Sequence, residues 1–258
     1  APDYRTAPLG DCSHDGHVRL TLRGKLKDGT WDAAPRREKD VWMTAAHELA
    51  AWCLTYGHDA TESLNWWVGP KGDITQDPKM FFDVGDLTGW FKVDEEMAES
   101  VQIYIEAVHD LVPFAGEYEL DVEQRLDMTH LHPEIFGTGD VVLYAADTAT
   151  LHVLDFKYGK GVAVDPEENP QLMLYGAGAV RRYHNRPLTK IVLWIVQPRA
   201  GGAPIKSWST DPLALMEFED DLRVAALATE DPNAPLVAGD HCRFCKAAPV
   251  CPALRDKA

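Results

Sequence analysis

The sequence predicts a mixed α/β fold in which helices flank a central sheet. Some segments repeat apolar residues at helical spacing, whereas others alternate or cluster them as β-strands do. The two kinds of segment follow the order helix, helix, three strands, helix, strand, helix, which favours one sheet covered by helices. A chain of 258 residues can bury a proper core, so we expect one large domain.

Four segments have the pattern of helices. Gly57 is a stop signal after the first of them. Asn169 followed by Pro170 is a capping residue with a proline at the first helical position, which indicates the start of the third. The predicted helices are residues 40–56, 94–111, 170–184 and about 212–230.

Four segments have the pattern of strands, residues 119–126, 139–144, 151–157 and 190–197. Residues 145–149 form a plausible turn between the second and the third. If that hairpin is centred between Asp147 and Thr148, Asp140 pairs with Asp155, because both are equally far from the centre. Directly opposed side chains have Cβ atoms roughly 4.5–5.5 Å apart.

This hairpin brings together side chains that suit a metal site. Lys157 is two residues past Asp155 and therefore projects from the same face of the strand. Two close carboxylates are most stable with a hard divalent ion, so the pattern indicates Mg²⁺ or Mn²⁺. Such an ion with a neighbouring ammonium group suits hydrolysis of a phosphodiester. The alternative is a surface hairpin whose Asp140 and Lys157 are merely solvated.

The net charge of −16 argues against a protein that binds the phosphate backbone. The negative charge is less of an objection if the protein is a nuclease that uses bound cations, because the cations supply positive charge where DNA lies. One N-terminal stretch is basic and is either a DNA-contacting face or a solvated loop. Its basic residues are Arg19, Arg23, Lys25, Lys27, Arg36, Arg37 and Lys39.

Cysteine usage predicts a reducing compartment. Five cysteines is an odd number, and three of them, Cys242, Cys245 and Cys251, lie within ten residues, which suits metal or cluster ligation better than disulfides. Residues 1–11 contain no apolar signal-peptide core, and no apolar run is long enough to span a bilayer. We therefore expect a cytoplasmic protein that does not associate with a membrane.

Three ordered motifs resemble the PD-(D/E)XK nuclease superfamily, and within it a largely phage-borne, RecB-like family. They are residues 137–140 (GTGD), 155–161 (DFKYGKG) and 169–175 (NPQLMLY), and the likeness extends over about residues 40–255. That family is related to the AddB nuclease domain and to the CRISPR-associated RecB-like exonucleases. The resemblance implies a restriction-endonuclease-like core and a Mg²⁺- or Mn²⁺-dependent nuclease.

The resemblance further implies an exonuclease that acts at DNA ends in phage recombination or DNA processing. Its partners would be DNA and a recombination protein such as a single-strand annealing protein. It would work in the cytoplasm of a phage-infected or prophage-bearing bacterial cell.

The resemblance also assigns roles to residues. Metal ligation falls to His47, Asp140, Asp155 and the carbonyl of Phe156, and catalysis to Lys157. Gln171 and Tyr175 match a Q-x-x-x-Y element whose members contact DNA or orient the lysine; without the resemblance Tyr175 is equally a core residue. Glu123 is a weaker candidate at the position of an acidic residue on the first strand.

The cysteine-rich tail matches the C-x2-C-x5-C spacing of three ligands of a [4Fe–4S] cluster in those relatives. Cys242, Cys245 and Cys251 would bind the cluster. The fourth ligand is Cys12, which precedes His47 as in those relatives, or Cys53, which follows His47 on the same helix and resembles a core residue. A zinc site that uses His241 is the alternative. The domain is then organised as an N-terminal segment (1–39), a core (40–230) and a C-terminal cluster tail (231–258).

Two other functions remain open at this stage. One is a non-catalytic DNA-binding or structural iron–sulfur module on the same fold, which the complete set of Asp140, Asp155 and Lys157 disfavours. The other is a zinc- or iron–sulfur-dependent redox protein, whose activity would not depend on Asp155.

Overall fold

The computed structural model describes residues 38–78, 89–114, 116–133, 135–228, 230–231, 235–239, 242 and 251–255, with side chains from Trp42 onward. The basic N-terminal stretch, Cys12, His241 and Cys245 lie outside these described side chains. The chain divides into two compact units. The larger contains Arg36–Leu126 and Gly137–Pro212, and the smaller contains Asp127–Phe136 and the C-terminal part from Leu213. The prediction of a single nuclease domain stays a prediction.

Helices and strands alternate much as the sequence predicts. The helices are α1 (Glu38–Tyr56), α2 (Glu95–His109), α3 (Pro170–Arg182), α4 (Pro212–Ala228) and the short α5 (Pro252–Arg255). The strands are β1 (Trp67–Val68), β2 (Ile74–Thr75), β3 (Phe91–Lys92), β4 (Tyr118–Asp127), β5 (Phe136–Ala145), β6 (Thr150–Phe156), β7 (Lys190–Val196) and β8 (Ile205–Thr210).

Five strands form a mixed sheet in the order β4-β5-β6-β7-β8, which confirms the predicted central mixed sheet. β6 and β7 run parallel, whereas β5–β6 and β7–β8 are antiparallel. α3, which lies between β6 and β7 in the chain, supplies the long crossover that a parallel pair requires. The β5–β6 hairpin has the predicted register, from Val141 opposite Leu154 to Ala145 opposite Thr150.

The predicted helix ends follow from local chemistry. The Asn169 side chain accepts hydrogen bonds from the first amides of α3, and Pro170 is the first residue of that helix. Asp94 caps α2 by accepting from the amide of Met97 at 2.8 Å. Gly57 ends α1 with φ of +70°, a backbone conformation that costs glycine little.

α1 and α2 pack against one face of the sheet. Leu154 and Phe156 of β6 belong to the same buried core as Leu49 of α1 and Ile105 of α2. Side chains alternate along a strand, so Asp155 points away from that core. The opposite face is the one where α3 contacts β6 and β7. The sheet is thus flanked by helices on both faces.

Two features were not predicted. A second sheet of order β2-β1-β3 consists of two-residue strands, which are too short to show a periodic pattern. β8 is an edge strand whose residues are only exposed or half-buried, so it contains no apolar run.

The smaller unit contains α4, which buries Leu215, Leu222 and Ala226. Near the end of α4, His132 contacts Glu230 at 2.9 Å. No helix in the described ranges is long and apolar enough to cross a membrane.

Candidate active site

The β5–β6 hairpin holds two carboxylates next to each other. The last pair of its register is Val141 opposite Leu154, and Asp140 and Asp155 are the next residues of the two strands. The backbone amide of Phe156 donates to Oδ2 of Asp140 at 2.7 Å, which ties the Asp140 side chain to β6. The Asp155 side chain is only 3% exposed. The hairpin geometry that the sequence predicts therefore brings a buried and a half-buried carboxylate together.

Lys157 lies directly beside Asp155. Its Nζ is 2.7 Å from Oδ2 of Asp155 and donates to Oε1 of Gln171 at 2.8 Å. Oδ2 of Asp155 is buried, and the Lys157 ammonium is its one partner among the described residues. One oxygen of Asp155 therefore keeps lone pairs available for a further partner.

Gln171 links the charged pair to Tyr175. Its Nε2 donates to Oδ1 of Asp155 at 3.1 Å and to the Tyr175 hydroxyl at 2.9 Å. The Tyr175 ring packs against the backbone of β5 at Gly137, where a Cβ would lie 2.6 Å from Cε1 of the ring. We call Lys157, Gln171 and Tyr175 the lysine side of the site. Its members hold one another in place.

His47 of α1 approaches the carboxylates from the other direction. Its Nδ1 donates to the carbonyl oxygen of Met43 at 2.7 Å, one turn earlier in the helix. Its Nε2 lies 2.8 Å from the carbonyl oxygen of Phe156 and 3.6 Å from Oδ2 of Asp140. Both carbonyl oxygens can only accept, so both contacts are hydrogen bonds when the ring carries a hydrogen on each nitrogen.

Burial and mutual repulsion shift the pKa values of these groups. Burial, together with the neighbouring Asp140, raises the pKa of Asp155 to about 6 although Lys157 opposes the shift. Burial also raises the pKa of Asp140. For His47 burial lowers the pKa, but Asp140 and the Met43 carbonyl outweigh it and the net shift is upward. The site is thus deficient in positive charge.

The donor set fits a hard divalent cation. It consists of two carboxylates, one imidazole nitrogen and one backbone carbonyl, and oxygen is the ligand that such ions prefer. The bond from Nδ1 of His47 to a carbonyl is the support that metal-binding histidines usually have. In the described part of the chain no three His, Cys, Asp or Glu side chains already converge closely enough to hold an ion. Asp155 is instead paired with Lys157.

Residues 41–258 match a family described as a protein of unknown function, DUF2800. The chain belongs to this family. The match covers the α1 to α5 region, including the hairpin, His47 and the cysteine-rich tail.

Two of the predicted cluster ligands of the DUF2800 chain are described. Cys242 and Cys251 are both buried, and the Gly239 amide donates to Sγ of Cys242 at 3.4 Å. Cys53, the alternative fourth ligand, belongs to the core between α1 and α2, and burial raises the pKa of its thiol to about 12. In the metal-free chain Cys53 is therefore a protonated core residue, and the choice between Cys12 and Cys53 stays a prediction.

One residue of the site was not predicted. Tyr104 of α2 lines a cleft together with His47, Glu123, Asp140 and Phe156. The weaker candidate Glu123 lies at the exposed rim of this cleft, on β4, with φ of +50°, which is strained for a residue with a Cβ. We call His47, Tyr104 and Glu123 the histidine side. Tyr104 carried no signal in the sequence, since it has the spacing of an ordinary buried helix residue.

Proposed function

We propose that this chain is a metal-dependent DNA nuclease of the PD-(D/E)XK superfamily, in its RecB-like branch. The observation that carries the proposal is the pair of carboxylates at the end of the β5–β6 register, where the Phe156 amide binds Asp140 and the Lys157 ammonium is 2.7 Å from Asp155. The five-stranded mixed sheet with helices on both faces supports a restriction-endonuclease-like core. We further propose an exonuclease of phage recombination or DNA processing, with DNA and a single-strand annealing protein as partners.

Each residue of the site has a separate proposed role. Asp140, Asp155, His47 and the carbonyl of Phe156 would hold Mg²⁺ or Mn²⁺, which when bound polarises the phosphate and acidifies a water molecule. Lys157 contributes a fixed positive charge for the phosphate and a donor that orients the attacking water. Gln171 restrains the Lys157 ammonium by accepting one of its hydrogens.

The net negative charge of the chain affects how it would bind DNA. At a net charge of −16, association with DNA should depend on bound cations more than on basic side chains. The proposal therefore includes a requirement for divalent ions in binding as well as in cleavage.

A digestion assay tests the proposal. Labelled linear DNA and covalently closed circular DNA would be incubated with the protein in Mg²⁺, in Mn²⁺ and in excess chelator. We expect degradation of the linear DNA only, and only with a divalent ion. Asp155→Ala should abolish it. Asp147→Ala, which removes an exposed carboxylate from the turn of the same hairpin, should retain it.

The outcomes are separable. Cleavage by Asp155→Ala at the wild-type rate contradicts the proposed site. Cleavage of circular and linear DNA at equal rates contradicts the exonuclease assignment but leaves the nuclease intact. DNA binding that needs no divalent ion, with no cleavage, supports the non-catalytic module instead.

For the tail we propose a [4Fe–4S] cluster ligated by Cys242, Cys245, Cys251 and Cys12. Support comes from the burial of Cys242 and Cys251 and from the amide hydrogen bond to Sγ of Cys242. Anaerobically purified protein should be brown, with absorbance near 400 nm and about four irons per chain. One zinc per chain without iron contradicts the cluster and favours the zinc alternative. Cysteine-to-serine variants at Cys12 and Cys53 identify the fourth ligand.

A further inference from the structure

The small sheet β2-β1-β3 has an inner and an outer face. Val68 of β1 and the residues opposite it on both neighbours belong to the core of the larger unit or pack against it. Side chains alternate along a strand, so Trp67 points outward, with Thr75 and Lys92 directly opposite it on β2 and β3. Trp67 is half-buried and forms no ring pair with another described aromatic side chain. The outer face therefore presents an aromatic ring between two polar side chains.

Two lysines of this sheet are unpaired. Lys92 is exposed beside Trp67, and Lys71 is exposed at the tip of the β1–β2 hairpin. Neither forms an ion pair or a side-chain hydrogen bond with any residue that the structure describes, whereas Lys157 and Lys160 each contact a carboxylate at 2.7 Å. In a chain with a net charge of −16, acidic partners are plentiful. Both ammonium groups are thus available to an external anion.

The hairpin tip lies beside the proposed metal site. Gly72 of the tip packs so closely on Glu48 that an added Cβ would lie 2.5 Å from Oε2 of that carboxylate. Glu48 directly follows His47 on α1. After burial and the charge of Asp140, the charge of Glu48 also raises the pKa of Glu123, which lines the same cleft as His47. A DNA strand that ends at the site would therefore pass the hairpin tip.

The backbone of the tip is held in place. The Gly69 amide donates to the carbonyl oxygen of Asp73 at 2.7 Å, and the Gly72 amide donates to that of Gly69 at 3.1 Å. The Trp90 ring packs against Gly69, where an added Cβ would lie 2.8 Å from Cζ2. Lys71 is thus presented from an ordered turn, which lowers the entropy that binding costs.

We propose that the outer face of this sheet binds a single strand of DNA next to the site. One base stacks on Trp67, and neighbouring phosphates contact Lys92 and Lys71. Aromatic rings combined with basic side chains are how proteins bind single strands without sequence preference. A base inside a duplex is stacked on its neighbours and cannot offer its face to Trp67, so the surface favours a single strand. This inference rests on the proposed function, which supplies the DNA.

The test of Trp67 measures DNA affinity without cleavage. A fluorescein-labelled oligo-dT of about 20 nucleotides, with nuclease-resistant phosphorothioate linkages, would be titrated with the protein in Mg²⁺ and followed by anisotropy. We expect Trp67→Ala to raise the Kd about ten-fold, because one stacked base is lost. Trp208→Ala is the matched control, since it removes a half-buried tryptophan from the edge strand β8 of the larger sheet. It should bind as the wild type does.

Lysine variants test the phosphate contacts. Lys71→Ala and Lys92→Ala should each raise the Kd roughly three-fold or more. Each should also reduce the slope of log Kd against log salt concentration by about 0.7, the value for one phosphate contact on a single strand. Lys190→Ala is the matched control. It removes an exposed lysine opposite Thr150, at the other end of β7 from the residue that pairs with Asp155.

Each result decides the matter. Wild-type Kd values for Trp67→Ala and both lysine variants overturn the inference and leave the proposed nuclease standing. A wild type that digests DNA without measurable affinity for the single strand does the same. A wild type that neither binds nor digests DNA overturns both. If Trp67→Ala lowers the Tm, the lysine variants decide, because their side chains are exposed.

Two further outcomes also count against the inference. Equal weakening by Lys190→Ala would show that total charge, and not this face, determines the affinity. Loss of binding to a single-strand annealing protein at an unchanged Kd for DNA would assign the face to a protein partner.

Discussion

The two sides of the Asp140–Asp155 pair differ in how completely their polar atoms are partnered. On the lysine side, Lys157, Gln171 and Tyr175 are joined to one another and to Asp155 by hydrogen bonds of 2.8 to 3.1 Å. On the histidine side, the Tyr104 hydroxyl has no hydrogen-bond partner within the described part of the chain.

This difference separates what the protein organises by itself from what it leaves to a ligand. A network of satisfied hydrogen bonds fixes the lysine before any substrate arrives, which is the form of preorganisation that electrostatic catalysis requires. On the histidine side, the buried negative charge of Asp140 becomes favourable only when further positive charge binds. The lysine side should therefore control the chemical step, and the histidine side the affinity for the cation.

The largest expected effect belongs to Lys157. We expect Lys157→Ala to lower the single-turnover cleavage rate at least about 10³-fold, since a fixed charge near the reacting phosphate is lost. Its Kd for Mn²⁺ should stay the same or fall, because Asp155 no longer pairs with an ammonium group. Rapid-quench kinetics and calorimetry measure the two quantities. A large loss of Mn²⁺ affinity would show that the two sides are not separable.

His47 should give the opposite result. We expect His47→Ala to weaken Mn²⁺ binding by about 10- to 100-fold, the range for a lost ligand or ligand support. Because the lysine side is intact, cleavage should recover substantially at high Mn²⁺ concentration. His58→Ala is the matched control, an exposed histidine near the end of α1 that stacks on Trp52. No recovery at saturating Mn²⁺ would assign His47 to the chemical step instead.

The features that the sequence predicts well are local ones. Asn169 with Pro170, and Asp94 before α2, specify helix starts through bonds to amides two or three residues away. The hairpin register also depends on a short stretch, since the turn at residues 146–149 fixes which residues of β5 and β6 are opposed. These predictions needed no knowledge of the rest of the fold.

The features that escaped prediction depend on distant parts of the chain. Tyr104 becomes a site residue only because α2 packs over β6, where its ring stacks on Phe156 and lines a cleft that β4 also borders. Its sequence environment is that of any core position of a helix. The role of Gly137 likewise appears only when α3 places Tyr175 against β5. Such contacts are set by packing between elements, on which periodicity gives no information.

Gly137 should affect the lysine side through Tyr175. An added Cβ would lie 2.6 Å from the Tyr175 ring, so Gly137→Ala should displace the ring and loosen its bond to Gln171. We expect cleavage to slow roughly ten-fold at unchanged Mn²⁺ affinity. Gly161→Ala is the control, because nothing lies within 4 Å of the added Cβ there.

A double substitution shows whether Tyr175 carries the effect of Gly137. In a Tyr175→Ala background the ring is absent, so adding Gly137→Ala should slow cleavage little further. Additive losses would mean that Gly137 acts by another route, such as the backbone of β5 itself.

His152 should affect stability while leaving both sides of the site unchanged. It lies on β6, three residues before Asp155, and accepts a hydrogen bond from Nε1 of Trp194 at Nδ1. Burial, with a smaller contribution from Lys190, lowers its pKa from 6.5 to about 4. The unfolded chain therefore binds a proton that the folded chain does not between these values, so stability falls as pH drops from 6.5 towards 4.

His152→Asn keeps an acceptor for Trp194 and removes the titration. We expect the Tm of the wild type to fall more steeply than that of the variant over this pH range, by a few degrees, in thermal melts in chelator. Above pH 7 the variant should cleave DNA and bind Mn²⁺ as the wild type does. Parallel melting curves would show that His152 is protonated in the folded protein. A changed Mn²⁺ affinity would show that the site extends further along β6 than its two sides.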